Sequence, residues 1–280
     1  MKKILYFTLI ISILSSCKSA IEDLNIDTPQ RYTVSCFLSP QDSVSLFLGL
    51  SYPINKTIDI EENRNKIRKA IVYITNEKGE KFTLKYNEIN RTFFDVSHLL
   101  KIENSKKYNL EITTSENNII RSSCIVPKKV PDFKVKVDSV NGLFYLKYTW
   151  QDVLNEENFY RYVGVKKNLI FLQEHEIIWT DGSQIETQIA SDEKQDGKEI
   201  SSNRSDTQKN ETGGFTSTSF GTYVDATLLN IDKNYFLFQQ SFEKTKRGNN
   251  FEPTPTFSNI EGGLGIFSSC DILRKTVRIR

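Results

Sequence analysis

The residues of this chain best placed to undergo chemistry are Leu14-Ser15-Ser16-Cys17, where a thiol follows small side chains at the end of an apolar run, Ile4 to Leu14. With Met1-Lys2-Lys3 ahead of that run, the order is basic start, short apolar core, small residues and cysteine, the pattern of a bacterial lipoprotein signal peptide. The chemistry would be cleavage before Cys17 and acylation of its thiol and its new amino group. A transmembrane helix needs about 20 apolar residues, so residues 1–16 read as a cleaved signal instead. Several acyl chains, at about 0.8 kcal/mol per buried methylene, make such an anchor effectively permanent. Residues 17–30 are polar and acidic and read as a flexible tether that lifts the body off the bilayer.

Other reactive side chains are few. His98 and His175 are the two histidines, too few for a His-rich zinc site, and neither lies in a nucleophile elbow of the Gly-x-Ser-x-Gly kind. Asp192-Glu193-Lys194-Gln195-Asp196-Gly197 matches a calcium loop at its first, fifth and sixth positions. It fails at the third, Lys194, and at the twelfth, Asn203, so a solvated charge run is the better reading. The pairs Glu61-Glu62 and Glu156-Glu157, and Glu174 with Glu176, do not by their order place two carboxylates across a cleft, as glycoside hydrolysis requires. Asn259-Ile260-Glu261-Gly262-Gly263-Leu264-Gly265-Ile266-Phe267 is rich in glycine but lacks the Lys and Ser or Thr of a phosphate loop. It reads as a tight turn or bulge before a buried strand. These signs point to a non-enzymatic protein with no cofactor and no metal.

One binding surface has a chemical motive. Trp150-Gln151-Asp152 and Asn158-Phe159-Tyr160-Arg161-Tyr162 bracket a polar loop, and flat rings such as Trp150 and Tyr160 could face a sugar or a peptide. In a sandwich the same rings would be core. Cys36, Cys124 and Cys270 remain beyond Cys17, an odd count, and Cys36 and Cys124 could face each other as a disulfide or stay as buried thiols. Basic and acidic side chains number 37 and 35, and the basic ones are scattered, which removes the clustered stripe that nucleic-acid binding needs.

The elements that must position these residues are mostly strands. Phe and Tyr are plentiful, 18 and 12, and apolar and polar residues alternate from Arg31 onward. Tyr32 to Leu38, Val44 to Leu50, Ala70 to Ile74, Lys81 to Tyr86, Thr92 to Val96, Lys107 to Thr113 and Asn118 to Val126 give the spacing of a β-sandwich, immunoglobulin-like or transthyretin-like, over residues 31–127. A polar loop rich in Glu and Asn separates the second and third strands. Pro127-Lys128-Lys129-Val130-Pro131 marks the boundary to a second, β-rich domain over 128–280. There Phe133 to Val137, Leu143 to Trp150, a long strand Phe159 to Leu172 and Thr222 to Leu229 are expected. Leu264 to Ser268 and Ile272 to Ile279 would close that domain. A polar stretch at about 181–214 reads as a mobile insertion, in which Ile185 and Ile189 could still add an edge strand. One helix is expected over 232–247, capped by Asp232, with Tyr235, Phe238 and Phe242 on one core-facing stripe.

Taken together, the lipobox, Cys36-Phe37-Leu38 with Ser51-Tyr52-Pro53-Ile54, Ala70-Ile71-Val72-Tyr73-Ile74, Tyr108-Asn109-Leu110 and Val126-Pro127 resemble a lipoprotein family of the Bacteroidota phylum. So do Asp138-Ser139-Val140, Trp150-Gln151-Asp152 with Asn158-Phe159-Tyr160-Arg161, and above all Ser258-Asn259-Ile260-Glu261-Gly262-Gly263-Leu264-Gly265-Ile266-Phe267. That family carries a domain-of-unknown-function label numbered forty-two forty-nine. The resemblance implies an outer-membrane lipoprotein, often encoded beside a TonB-dependent receptor that would be its partner, and it transfers no activity. It also implies O-glycosylation of Asp-Ser/Thr-apolar triplets, here Ser43 in Asp42-Ser43-Val44 and Ser139 in Asp138-Ser139-Val140. Surface export in the phylum follows acids close behind the lipidated cysteine. Lys18-Ser19-Ala20-Ile21 delays them to Glu22-Asp23, which leaves the membrane face open.

Overall fold

A computed structural model describes residues 29–52, 57–140, 143–172, 176–180, 184–193, 195–202, 205–206, 219–247 and 256–278. Cys17, the expected signal over residues 1–16 and His175 lie outside them.

The alternation from Tyr32 onward becomes seven strands, β1 (Tyr32–Leu38), β2 (Ser45–Leu50), β3 (Ile71–Thr75), β4 (Lys81–Asn87), β5 (Thr92–Phe94), β6 (Lys107–Thr113) and β7 (Ile119–Ile125). They hydrogen-bond in the order β1-β2-β5-β4-β3-β6-β7, and β4 pairs with β5 on one side and β3 on the other, so the ribbon folds over on itself there as a sandwich. Val34, Cys36, Leu48, Ile74, Leu110 and Ile112 fill the space between the layers, because every second residue of each strand points the same way.

The polar loop after β2 contains a helix that lacks an apolar stripe, α1 (Ile60–Arg68). Its signals are electrostatic. The Asp59 carboxylate accepts from the Glu61 and Glu62 amides at 2.9 and 3.0 Å, Glu61 and Glu62 occupy the positive first turn, and Lys66 and Arg68 the last. Arg64 pairs with Glu61 at 2.6 Å and Lys66 with Glu62 at 3.3 Å. Hydrophobic periodicity has nothing to detect in such a helix.

Beyond Pro131, β8 (Phe133–Val140) and β9 (Leu143–Gln151) form a hairpin that packs on a sheet built from β10 (Phe159–Leu172), β11 (Glu176–Thr180), β12 (Gln184–Ser191), β15 (Ser219–Ile231) and β16 (Leu264–Arg278). The expected mobile insertion is largely ordered over its first half. β12 pairs along β10, as Ile185 and Ile189 allowed. β13 (Glu199–Ser201) and β14 (Ser205–Asp206) extend the β9 sheet, with Ile200 in the core. Backbone pairing and turn carboxylates hold this stretch, which is why its low apolar content misled. Residues 207–218 lie outside the description.

The expected helix is α2 (Lys233–Arg247), and Asp232 caps it by accepting from the Tyr235 amide at 2.8 Å. Its apolar stripe is shorter than expected. Tyr235 packs on Phe37 with ring centroids 4.6 Å apart and Phe236 stacks on Phe159 at 4.4 Å, while Phe242 is 43 % exposed.

The last strand corrects the domain reading. Leu264 and its successors to Ser269 pair in parallel with β1 of the sandwich, and Cys270 onward pairs antiparallel with β15. One strand therefore serves both halves, and the expected closing strands of the second domain are one element shared with the first. At the changeover Asp271 is 0 % exposed and accepts from Gln41 Nε2 at 2.7 Å, Asn104 Nδ2 at 3.1 Å and the Val130 amide at 3.3 Å. The Pro127–Pro131 boundary is bound by it rather than free. Replacing Asp271 with alanine orphans the buried Val130 amide and removes the shared acceptor of Gln41 and Asn104, and should cost about 1–3 kcal/mol, read by chemical denaturation, with Asp271→Asn costing less. Equal stability of wild type and Asp271→Ala would refute this role.

Candidate binding cleft

The outward side chains of the sandwich build a polar surface in rows. Cross-strand register sets Lys81 opposite Thr75, Thr75 opposite Asn109 and Asn109 opposite Ser123. The neighbouring row runs Thr83, Tyr73, Glu111, Arg121. Directly opposed side chains interact, so these rows are single functional strips. Glu111 sits between two cations, with Lys81 Nζ and Arg121 Nε each 3.3 Å from one of its oxygens, and Lys81 lies 3.8 Å above the Tyr73 ring. The Lys81 ammonium first, then the Arg121 guanidinium, holds the Glu111 carboxyl below its usual range against slight desolvation.

A wall rises along β7 and makes this surface a cleft of about 710 Å³. The Arg121 amide and carbonyl bond Glu261 at 3.0 and 2.9 Å, Ser122 Oγ donates to the Asn259 carbonyl at 2.8 Å, and Asn234 of α2 donates to the Ser123 carbonyl at 3.2 Å. These contacts also close the β7 edge, which would otherwise offer free strand groups to another chain. Gly262 and Gly263 let the wall pass close. A Cβ at Gly262 (φ +79°) would sit 2.6 Å from the Ile119 carbonyl oxygen, and one at Gly263 would sit 2.9 Å from that of Tyr32. The glycine-rich run is the tight turn before a buried strand that its sequence indicated. Within the cleft Lys81 and Arg121 balance Glu111 and Glu261, and amides and hydroxyls supply the remaining groups. Such a surface can bind an uncharged, hydrogen-bonding ligand without polarising it. Residues Asn109, Ser123 and Asn234 were invisible as a group in the sequence, since only register and the return of β16 bring them together.

The residues singled out from sequence fare differently. Trp150 and Tyr160 are core, 2 % and 0 % exposed, with ring centroids 5.1 Å apart, so neither presents a face to a ligand. His98 is exposed on a turn at φ 54°, beside Asp95. Ser43 is exposed, and Ser139 lies in β8 with its side chain outside the described residues. Cys36 and Cys124 do not form the disulfide left open above. Both, with Cys270, are free buried thiols packed as small apolar residues, and burial pushes Cys36 and Cys270 up to about 12.

The calcium-like run folds into an acidic knot. Asp152, Asp192 and Asp196 bring one oxygen each within 4.8 Å of the others. A hard cation takes such oxygens, but each carboxylate already holds its own turn. Asp152 accepts from Tyr160 Oη at 2.5 Å and the Gly197 amide at 2.7 Å, Asp192 from the Asn158 amide at 3.0 Å, and Asp196 from the Asn155 amide at 2.9 Å. Burial, then the neighbouring Asp152 charge, raises Asp192 above the usual carboxyl range. A raised carboxyl stabilises the fold below its unfolded value of about 3.9, and that contribution is lost as pH rises through the folded value. Urea titrations from acid to neutral pH should therefore show wild-type stability falling relative to Asp192→Asn. A constant difference between the two would contradict the shift.

The profile described as "Domain of unknown function (DUF4249)" matches residues 20–276. The chain belongs to this family. No curated protein matches the DUF4249 chain. Among solved structures, a two fibronectin type-III domain segment from chicken tenascin is similar at 10 % identity, covering 89 % of this chain and 99 % of that one with a TM-score of 0.22. That score is too low to carry an argument. The all-β assignment of this DUF4249 protein rests on its own strand pairing.

Proposed function

We propose that this chain is a non-enzymatic lipoprotein, held in the outer membrane through Cys17, that serves as an accessory subunit of a TonB-dependent receptor and presents the cleft beside β7. The observation that carries the reading is the Leu14-Ser15-Ser16-Cys17 junction. An anchor confines the protein to the plane of its partners, which raises effective concentration without a catalytic site. The charges of the cleft are already paired, Glu111 with Lys81 and Arg121, which suits a surface that binds through hydrogen bonds.

The alternative is a stand-alone binder of surface carbohydrate or peptide. Burial of Trp150 and Tyr160 removes its original motive, and the cleft is what keeps it alive. Cys17→Ala should move the protein from the membrane to the soluble fraction, seen by fractionation and by loss of the acyl mass. Affinity purification of the wild type after gentle solubilisation should recover a TonB-dependent receptor. A clean monomer in several detergents would sink the accessory role, and membrane retention of Cys17→Ala would sink the anchor.

A further inference from the structure

The end of the sandwich at which the chain enters is marked out by contacts. Gln30, just ahead of β1, donates from Nε2 to Asn63 Oδ1 of α1 at 3.3 Å, and the Ser51 amide beyond β2 donates to the Arg31 carbonyl at 2.8 Å. Arg68 of α1 donates to Glu88 in the β4–β5 turn at 2.8 Å, and Lys66 lies 3.1 Å from Glu116 in the β6–β7 turn. α1 and both turns therefore share one end of the sandwich with the start of β1. The chain from Cys17 to Pro29 spans at most about 40 Å when fully extended. An acylated Cys17 would hold this end nearest the bilayer.

The tips of that end are apolar. Ile89 in the β4–β5 turn is 91 % exposed, Ile60 at the first residue of α1 is 65 % exposed and Tyr52 just past β2 is 59 % exposed. Side chains this exposed contribute little to a core, and they stand as prongs on three separate segments rather than as the wall of a groove. The acids around them are already engaged. Glu61 holds Arg64 and Arg68, Glu62 and Glu116 hold Lys66, Glu88 holds Arg68, and Asp59 caps α1. Lys69 and Arg91, both exposed, add positive charge. Such a surface suits the headgroup boundary of a bilayer. Alkyl tips reach the acyl chains there, a tyrosine sits at the interface, and Lys and Arg meet phosphates.

We infer that this end of the sandwich seats on the lipid surface, with Ile89, Ile60 and Tyr52 entering the boundary between headgroups and acyl chains, so that the protein is oriented as well as tethered. The inference rests on acylation of Cys17 and goes beyond it by fixing which end faces lipid. The acylated mature chain, reconstituted into vesicles of phosphatidylethanolamine and phosphatidylglycerol, tests it. Cys36, Cys124 and Cys270 are buried, so an introduced surface thiol takes the label. An environment-sensitive fluorophore at Asn90→Cys should shift to the blue and be quenched by nitroxide lipids. β5 runs from the β4–β5 turn toward Leu99, which is 69 % exposed beside the β3–β4 turn at the opposite end. The same fluorophore at Leu99→Cys should stay in water. Ile60→Ser with Ile89→Ser should abolish the shift at position 90 and leave the melting temperature unchanged, since both side chains are exposed. A mature chain without the acyl mass would defeat the anchor reading and this inference together. An acylated chain whose two probes respond alike, whose shift survives the double variant, or whose probe at position 90 responds only once a receptor is added would overturn this inference alone.

Discussion

A chain ending at Ser258 should lose cooperative folding of the N-terminal sandwich as well as of the C-terminal body. The first half of β16 and the turn before it place Ile260 and Phe267 in the sandwich core and bury Ile266 as well. At about 1.5–3 kcal/mol for each large apolar side chain, their loss is comparable to the whole stability of an ordinary domain. Truncation also bares the β1 and β7 edges, since β16 pairs with β1 and Glu261 bridges Arg121. Its other half is the antiparallel partner of β15, so the second sheet is broken at the same time. Near-ultraviolet circular dichroism and urea denaturation would report the loss. A truncated chain that keeps a cooperative transition at the wild-type midpoint would show that the sandwich stands alone.

Among the described glycines, Gly265→Ala should be the most damaging substitution. Gly265 has φ +107° and lies in register with Val34, and a Cβ there would fall 2.0 Å from the Val34 carbonyl oxygen. Backbone strain of about 1–3 kcal/mol adds to overlap with a strand that cannot retreat, for a total of roughly 3 kcal/mol or more. At about 2–4 °C per kcal/mol for a chain of this size, the melting temperature should drop by roughly 10 °C. Gly79→Ala is the control. Gly79 has φ +81° but nothing within 4 Å of its Cβ position, so that variant isolates the conformational part and should cost about 1 kcal/mol. Equal effects at the two positions would remove the steric argument.

Both predictions concern the region where sequence reading was least complete. The seven strands of the sandwich were legible because each buries one face, and burying one face imposes a period of two on Val34, Cys36 and Leu38 and on their counterparts. α2 was legible by its cap and aromatic spacing. α1 was missed because it buries only Asn63 and is held by charges near its ends. Residues 184–202 were misread because polar strands paired to β9 and β10 need few apolar side chains of their own. Trp150 and Tyr160, candidates for a ligand platform by sequence, are core, because only the packing of β9 on β10 decides which way their rings face.

The amino-acid sequence by itself determined the strand-rich class and the glycine turn before β16, since each depends only on residues close together in the chain. Tertiary structure alone decided the rest. It divided β16 between two sheets, gathered Asp271 with Gln41, Asn104 and Val130, and set Lys81, Thr75, Asn109 and Ser123 in one row. The physical reason is register. A strand declares which of its faces is apolar, but not which strand lies beside it, and the polar rows of the cleft are made of groups from neighbouring strands.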